Sequence, residues 1–125
     1  MSLDIILIEK EAACENESEK EVFSANITHN LTDMAAHVPC SSDYEIDLYQ
    51  VLWHPERIFT GDVKASMMVP HLEYALIELI HAETFLTDNF TPQNGWGNYE
   101  NLLNTVTDTL RACIKFPDSI YIACN

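Results

Sequence analysis

Six apolar side chains recur at helical spacing near the end of the chain, and this feature limits the fold more than any other. They are Tyr99, Leu102, Leu103, Val106, Leu110 and Cys113. Their spacing places all six on one face of a helix, which predicts a helix over residues 98–115 that is capped by Asn98. Because a helix with one apolar face must bury it against another element, the pattern indicates a layered globular domain.

Three segments have the patterns of strands. Residues 3–8 are apolar on both faces, which predicts a strand in the sheet interior, covered on both sides. Residues 22–28 alternate like a half-buried strand, and residues 119–125 place Ile120, Ile122 and Cys124 on one side of a closing strand. Between the first two strands, residues 9–21 hold six Glu and two Lys, which predicts a solvated loop and a long-looped hairpin.

The middle of the chain predicts three more helices. Asn30 is expected to cap a short helix that buries Leu31, Met34, Ala35 and Val38, and residues 48–53 form another short piece. The third helix covers residues 70–89, with Pro70 in its first turn. The sequence therefore predicts one α+β domain over residues 1–125 in the order β-β-α-α-α-α-β. About three antiparallel strands would carry four helices, mainly on one face.

A second apolar stripe runs along the third helix. It consists of Tyr74, Ile77, His81 and Phe85, roughly opposite the core-facing positions. A helix that is apolar on two faces is either sandwiched within its own fold or covered by another subunit. Burial within the fold is the preferred interpretation because such side chains are usually core. The alternative is a homo-oligomer that uses this stripe.

The charge balance limits the partners. Twenty acidic and six basic side chains give a formal net charge of −14 at pH 7, so nucleic acid and anionic membranes are not expected as direct ligands. A basic protein surface remains compatible with this charge. The chain has neither a signal-peptide pattern nor a membrane-spanning stretch, which predicts a cytoplasmic protein with its four cysteines reduced.

Residues 94–100, "NGWGNYE", form the most distinctive motif and have two interpretations. In the structural one, Asn94, Gly95 and Gly97 make tight turns, Asn98 caps the helix, and Trp96 pins the turn to the core. In the functional one, the glycines allow a ligand to approach the backbone at a helix N-terminus. Trp96 or Tyr99 would then stack on the ligand and Asn98 would bond to it.

A second candidate lies at the turn around His29, where a strand leads into a helix between Thr28 and Asn30. His29, Asp33 and His37 follow one another at intervals of four, so one helix covering all three would place two imidazoles and a carboxylate on one side. These are suitable ligands for zinc or a similar divalent metal. Against this, His29 falls at or before the expected start of the helix, and no H-E-x-x-H or C-x-x-C motif is present.

Three segments together resemble a family of small uncharacterised proteins of bacteria and their phages. They are "NITHNL" at residues 26–31, "LWHPERI" at 52–58 and "PQNGWGNYE" at 92–100, with "CIKFPD" near the end. The likeness extends from about residue 22 onward and assigns no activity. It implies that eight residues belong to the recurring pattern of the group, and we expect these to be the ligand-binding residues: Thr28, His29, Asn30, Trp53, Asn94, Trp96, Asn98 and Tyr99. This chain differs in its longer connector, "PCSSDYEIDLYQ", and its acidic residues 9–21.

We therefore expect a noncatalytic binding module, such as a phage-type accessory protein, that binds a host protein or sequesters a small ligand where the His29 and Trp96 turns meet. No nucleophile and base pattern or phosphate-binding glycine loop indicates an enzyme. One alternative is a divalent-metal-binding protein or hydrolase that uses His29, Asp33 and His37, the only cofactor that the sequence suggests. The other is a self-associating structural protein that uses the second stripe of the third helix.

Overall fold

The computed structural model describes residues 2–13 and 16–125, and the side chains of residues 2–9 and 19–125. Within these ranges the chain forms three strands and five helices, joined in places by short 3-10 turns. The strands are β1 (Ser2–Ala13), β2 (Asn16–Thr28) and β3 (Ile120–Cys124). The helices are α1 (Thr32–Ala36), α2 (Leu48–Trp53), α3 (Ala65–His81), α4 (Glu83–Phe90) and α5 (Tyr99–Lys115).

The three strands form one antiparallel sheet in the order β2-β1-β3. This confirms the α+β class and the interior position of β1. The side chains of Leu3, Ile5 and Leu7 are fully buried on the face that the helices cover. On the other face Asp4 is exposed and Ile6 is only half-buried, so the prediction that β1 is covered on both sides was wrong. The helices therefore pack mainly on the first face, as predicted.

The acidic stretch predicted as a loop is instead the far part of a long hairpin. β1 continues to Ala13 and β2 begins at Asn16, and the two strands pair along this whole length. The register places Glu9 opposite Lys20, so the pairing puts opposite charges at neighbouring positions of the two strands. Cys14 and Glu15 lie outside the described residues.

The first helical segment starts as a 3-10 turn at His29–Leu31 and continues as α1. Its cap is Thr28, whose hydroxyl accepts the N–H of Asn30 at 3.3 Å, so the expected Asn30 cap was wrong. The β-region backbone of Thr28 suits this role because it ends the strand directly before the turn. The four predicted apolar side chains of this segment are buried, as expected.

The predicted third helix proved to be two helices, with α3 beginning five residues early. The N–H groups of Ala65 and Ser66 donate to the carbonyls of Ser119 and Pro117, so the loop after α5 caps α3 in place of a side chain. Pro70 consequently lies inside α3 rather than in its first turn. The chain leaves helical geometry at Ala82, and α4 follows as a separate helix.

Helix α5 has the predicted bounds and crosses the inner face of the sheet. Asn98 caps it through a reciprocal pair of bonds with Asn101, in which each side-chain oxygen accepts the other's backbone N–H at 2.8–2.9 Å. Its stripe is buried except for Leu103, which is half-buried. Because α5 packs on β2 and α3, its N-terminal loop is held beside the end of β2. This arrangement positions the candidate site.

Candidate functional site

The two motif turns meet in space through Gly97. Its φ is +96°, and a Cβ atom added there would lie 2.6 Å from Cγ2 of Thr28 and 3.1 Å from Cγ of Leu31. Only glycine accommodates both the left-handed backbone and this close approach. The 94–98 loop is therefore held against the end of β2 and the turn that follows it.

Trp96 lies beside this contact but points away from the core. Its side chain is 72% exposed, so the structural interpretation in which Trp96 pins the turn was wrong. Gly97 makes the contact instead, because its missing side chain lets the backbone reach Leu31. The indole borders a depression of about 450 Å³ that we call the Trp96 pocket, lined by Ser2, Asn26, Thr28, Asn30 and Trp96.

The other walls of the Trp96 pocket are small and polar. Asn26 Nδ2 donates to Ser2 Oγ at 2.8 Å and to Asp4 Oδ1 at 2.6 Å, which fixes the amide and turns its Oδ1 atom away from these partners. Asn30 is exposed, and within the described part of the chain its side-chain amide has no hydrogen-bond partner. The pocket thus combines a flat aromatic face with amide and hydroxyl groups, which suits a ligand that is planar on one side and polar at its edge.

Three of the predicted ligand residues serve the loop itself. Asn94 Oδ1 accepts the N–H of Trp96 at 3.0 Å, and the Asn98 side chain caps α5. The Tyr99 side chain is buried and its hydroxyl donates to the Leu79 carbonyl at 2.6 Å, and desolvation raises the pKa of this hydroxyl. These residues hold Trp96 in place without lining the pocket.

His29 and Trp53 form a structural pair beside the pocket. The indole N–H of Trp53, which is buried, donates to His29 Nδ1 at 2.9 Å. This bond requires an unprotonated Nδ1 atom, so it selects the tautomer with its hydrogen on Nε2. Of the eight residues that the resemblance implies, only Thr28, Asn30 and Trp96 line the Trp96 pocket.

The structure does not bring the predicted metal ligands together. His29 uses Nδ1 to accept from Trp53, and His37 Nδ1 bonds the backbone oxygen of Asp33 at 2.8 Å. The His37 ring also stacks on Phe90, with 4.1 Å between ring centroids. Across the described residues, no group of three or more His, Cys, Asp or Glu side chains is arranged to hold a metal ion.

Sequence analysis missed a chain of hydrogen bonds after α2. His54 Nε2 bonds the Tyr49 hydroxyl and His54 Nδ1 bonds Glu56 Oε1, both at 2.9 Å. The pKa of Glu56 is lowered, first by its own backbone N–H and then by His54. The chain links α2 to the following turn and shares no residue with the Trp96 pocket.

Sequence analysis also missed Ser2 and Asn26 as pocket residues. Asn26 belongs to the quoted "NITHNL" segment, which gave a usable signal. Ser2 had no local signal, because it reaches the pocket only through the strand register that places it opposite Thr28. Pairing between distant segments was needed to find it.

Comparisons with known proteins give no relative from which a function for the site could be inferred. No protein-family model, curated protein or solved structure matches this chain. In the ranges that the structure describes, every helix is too short or too polar to cross a lipid bilayer.

Proposed function

We propose that this chain is a noncatalytic binding module whose ligand site is the Trp96 pocket. The observation that carries the proposal is an indole that is 72% exposed yet positioned by a glycine contact to the end of β2. A large aromatic side chain that contributes so little to the core gains free energy when a ligand covers it. The fixed loop lowers the entropic cost of that binding.

The walls of the pocket define the ligand class. A planar group would stack on Trp96, while its polar edge would bond to Asn30, Thr28 and the Asn26 amide. Both a small molecule and a side chain of a protein partner meet this description. The resemblance to small bacterial and phage proteins supports a cytoplasmic accessory protein that masks a host protein or sequesters a small ligand. The charge of −14 favours a partner with a basic surface.

The test compares Trp96→Ala with Trp96→Phe. Because Trp96 is exposed, we expect both variants to unfold within about 0.5 kcal/mol of the wild type. A fragment library of planar polar compounds is screened against the wild type, and binding is followed by the chemical shifts of the backbone amides. We expect compounds that bind to shift the amide signals of residues 26–30 and 94–98. Trp96→Phe should retain binding and Trp96→Ala should lose it. The proposal fails if no compound perturbs these residues, or if Trp96→Ala binds as well as the wild type.

Native mass spectrometry of protein purified without chelator complements this test. A retained small molecule that is lost in Trp96→Ala supports sequestration through the Trp96 pocket. One retained divalent ion per chain that is lost in His37→Ala would instead support the metal-binding alternative. That alternative also predicts loss of the ion in His29→Ala.

Self-association is a second candidate, and a specific observation favours it. The stripe expected to be buried within the fold is exposed, with Ile77 and Phe85 each 55% exposed and Ile80 beside them 60% exposed. The preferred burial interpretation was therefore wrong, because the core occupies only the opposite face of α3 and α4. Tyr74 is half-buried and His81 is exposed on the same side. Apolar side chains grouped on a surface commonly mark an interface between subunits.

Sedimentation velocity tests this second candidate. If the stripe joins two copies, the wild type sediments as a dimer at micromolar concentration and Ile77→Lys sediments as a monomer. Ile114→Lys is the matched control, since it makes the same exchange at an exposed isoleucine of α5, outside the stripe. A wild type that stays monomeric up to about 1 mM would rule the interface out.

A further inference from the structure

A groove leads from the Trp96 pocket along the outer edge of the sheet. It has a volume of about 460 Å³ and lies between residues 23–28 of β2 and the exposed side of α5. Asn26 and Thr28 line both the groove and the Trp96 pocket, so the two form one continuous surface. From residue 23 to residue 28 the edge is about 17 Å long at ~3.3 Å per residue, which is enough for a peptide of about five residues.

The edge of β2 presents unused backbone groups to this groove. The N–H of Tyr121 points away from β1, because it donates to the Val63 carbonyl. The N–H and C=O groups of successive residues in a strand point in opposite directions. The register of the two strand pairs therefore directs the backbone N–H and C=O of Ala25 towards β1, and those groups of Ser24 and Asn26 point outwards. Within the described part of the chain, no hydrogen bond from outside the sheet reaches the Ser24 or Asn26 backbone groups.

Residues 22–28 also lack the usual protection of an edge strand. Natural edges are commonly blocked by charged side chains or proline, because open edges pair with other chains. Such protection exists before the irregularity in the β1–β2 register, where Glu19, Lys20 and Glu21 are exposed. Beyond it the sequence is "VFSANIT", which contains neither a charge nor a proline. This part of the edge is therefore open to hydrogen bonding with the backbone of another strand.

The side chains around the groove indicate the kind of chain that fits. Phe23 and Ala25 are half-buried and provide an apolar floor, while Asn101 and Asn104 of α5 provide amide groups. Asp108 is the ionisable side chain of the lining, and the whole chain has a formal net charge of −14 at pH 7. Arg111 and Lys115 border the neighbouring depression beyond Phe23, so the position for a basic side chain is beside Asp108 on the groove side. The apolar floor and the net charge of the chain then favour a basic peptide with alternating apolar side chains.

We infer that β2 binds an extended basic peptide as a fourth strand, with an aromatic side chain at one end of the peptide stacked on Trp96. This inference rests on the proposed function and names its partner class. Backbone bonds to Ser24 and Asn26 supply affinity, and alternate side chains reach the floor and Asp108. A second copy of this chain fits less well, because pairing two β2 edges would bring two strongly acidic chains together.

Proline scanning of the edge tests strand addition directly. Ser24→Pro removes a backbone N–H that forms no hydrogen bond within the sheet. The fold is expected to survive, because edge strands tolerate proline where the N–H faces solvent. Ser24→Ala is the matched control because it keeps the N–H. A displayed library of random seven-residue peptides is selected on the wild type, and the enriched peptides are then measured by fluorescence anisotropy.

We expect the enriched peptides to carry more Lys and Arg than the input library. Ser24→Pro should weaken them at least tenfold and Ser24→Ala less than twofold. Asp108→Lys should weaken them at least threefold, and in labelled wild type the amide signals of Ser24 and Asn26 should shift. These last two readouts remain valid if Ser24→Pro does not fold.

Several outcomes overturn the inference. They are no enrichment, enrichment of acidic peptides, equal binding by folded Ser24→Pro and Ser24→Ala, or β2 edges that pair two copies of this chain. If fragments still bind the Trp96 pocket while no peptide shifts residues 23–28, strand addition is wrong and the proposed function stands. If fragments and peptides both leave the pocket unperturbed, the proposed function fails as well.

Discussion

Gly97 packs against Thr28 so closely that a Cβ atom on the glycine would lie 2.6 Å from the threonine Cγ2. We expect Gly97→Ala to lower the free energy of unfolding by about 2–4 kcal/mol, because a non-glycine residue is strained at φ +96° and its methyl group overlaps Thr28. The loop should also lose its docked position, and ligand binding at the Trp96 pocket with it. Urea unfolding measures the first effect.

Gly95→Ala is the control for Gly97→Ala. Gly95 also has a positive φ, +77°, but a Cβ atom there meets nothing within 4 Å. Its substitution should cost only about 1 kcal/mol of backbone strain. Equal losses for the two variants would mean that the contact with Thr28 does not hold the loop.

A second prediction concerns the bond between Trp53 and His29. His29→Ala leaves the buried indole N–H of Trp53 without its acceptor, so we expect a loss of about 1–3 kcal/mol in the free energy of unfolding. His81→Ala removes an exposed imidazole and should change stability by less than about 0.5 kcal/mol. Chemical denaturation compares the two. If His29→Ala kept full stability but lost ligand binding, His29 would belong to the binding site rather than to the scaffold.

Much of the fold could be predicted because its signals are local. The stripe of α5, the Asn98 cap and the closing strand depend on spacing within a few residues, and all three are confirmed. The break at Ala82 could not be predicted, since no glycine or proline marks it. The start of α3 also escaped prediction because distant carbonyls of the loop after α5 cap it.

The candidate site was predicted only in part, for a related physical reason. Sequence analysis selected the two turns, and the structure places them in contact at Gly97. It could not distinguish side chains that hold the loop from those that line the pocket, because local spacing is the same for both. Trp53 and Trp96 illustrate this, since one is buried in the core and the other is exposed. The edge groove depends entirely on strand register, which the sequence did not specify.

A third prediction concerns alkaline pH. The Tyr121 hydroxyl is buried and donates to the Leu52 carbonyl at 2.7 Å. Desolvation, with a smaller contribution from Cys113, raises the pKa of Tyr121 well above its ordinary value. A raised pKa in the folded state means that this contribution to stability is complete below pH ~10 and is lost as the pH rises further. The loss is about 1.4 kcal/mol per pH unit for one such group.

Tyr121→Phe isolates this contribution. At pH 7 we expect it to lower the free energy of unfolding by about 1–2 kcal/mol, because the Leu52 carbonyl loses a partner. Between about pH 10 and about pH 11, just above the ordinary pKa of tyrosine, the wild type should lose stability more steeply than Tyr121→Phe. Tyr44→Phe, at an exposed position, should follow the wild-type curve. Parallel pH dependence in the wild type and Tyr121→Phe would contradict the burial of an ionisable Tyr121 hydroxyl.

The last prediction separates the cysteines by reactivity. Burial raises the pKa of Cys113 to about 12, and burial together with the charge of Asp47 also raises the pKa of Cys40. Cys124 is exposed at the end of β3. Because thiolates are the reacting species, we expect Cys124 to react with an aromatic disulfide reagent at pH 8, while Cys40 and Cys113 react only when the chain unfolds.

A Cys14→Ser background makes the count unambiguous. In this variant we expect one fast thiol and two that are slower by roughly a thousandfold or more, a ratio set by the population of the unfolded state. Adding Cys124→Ser should abolish the fast phase, and in denaturing urea all remaining thiols should react together. The raised pKa of Cys113 also means that its contribution to stability declines as the pH rises above ~8.5, so the slow phase should accelerate with pH beyond the effect of thiolate formation alone. A fast phase that survives Cys124→Ser would show that Cys40 or Cys113 is accessible in the folded protein.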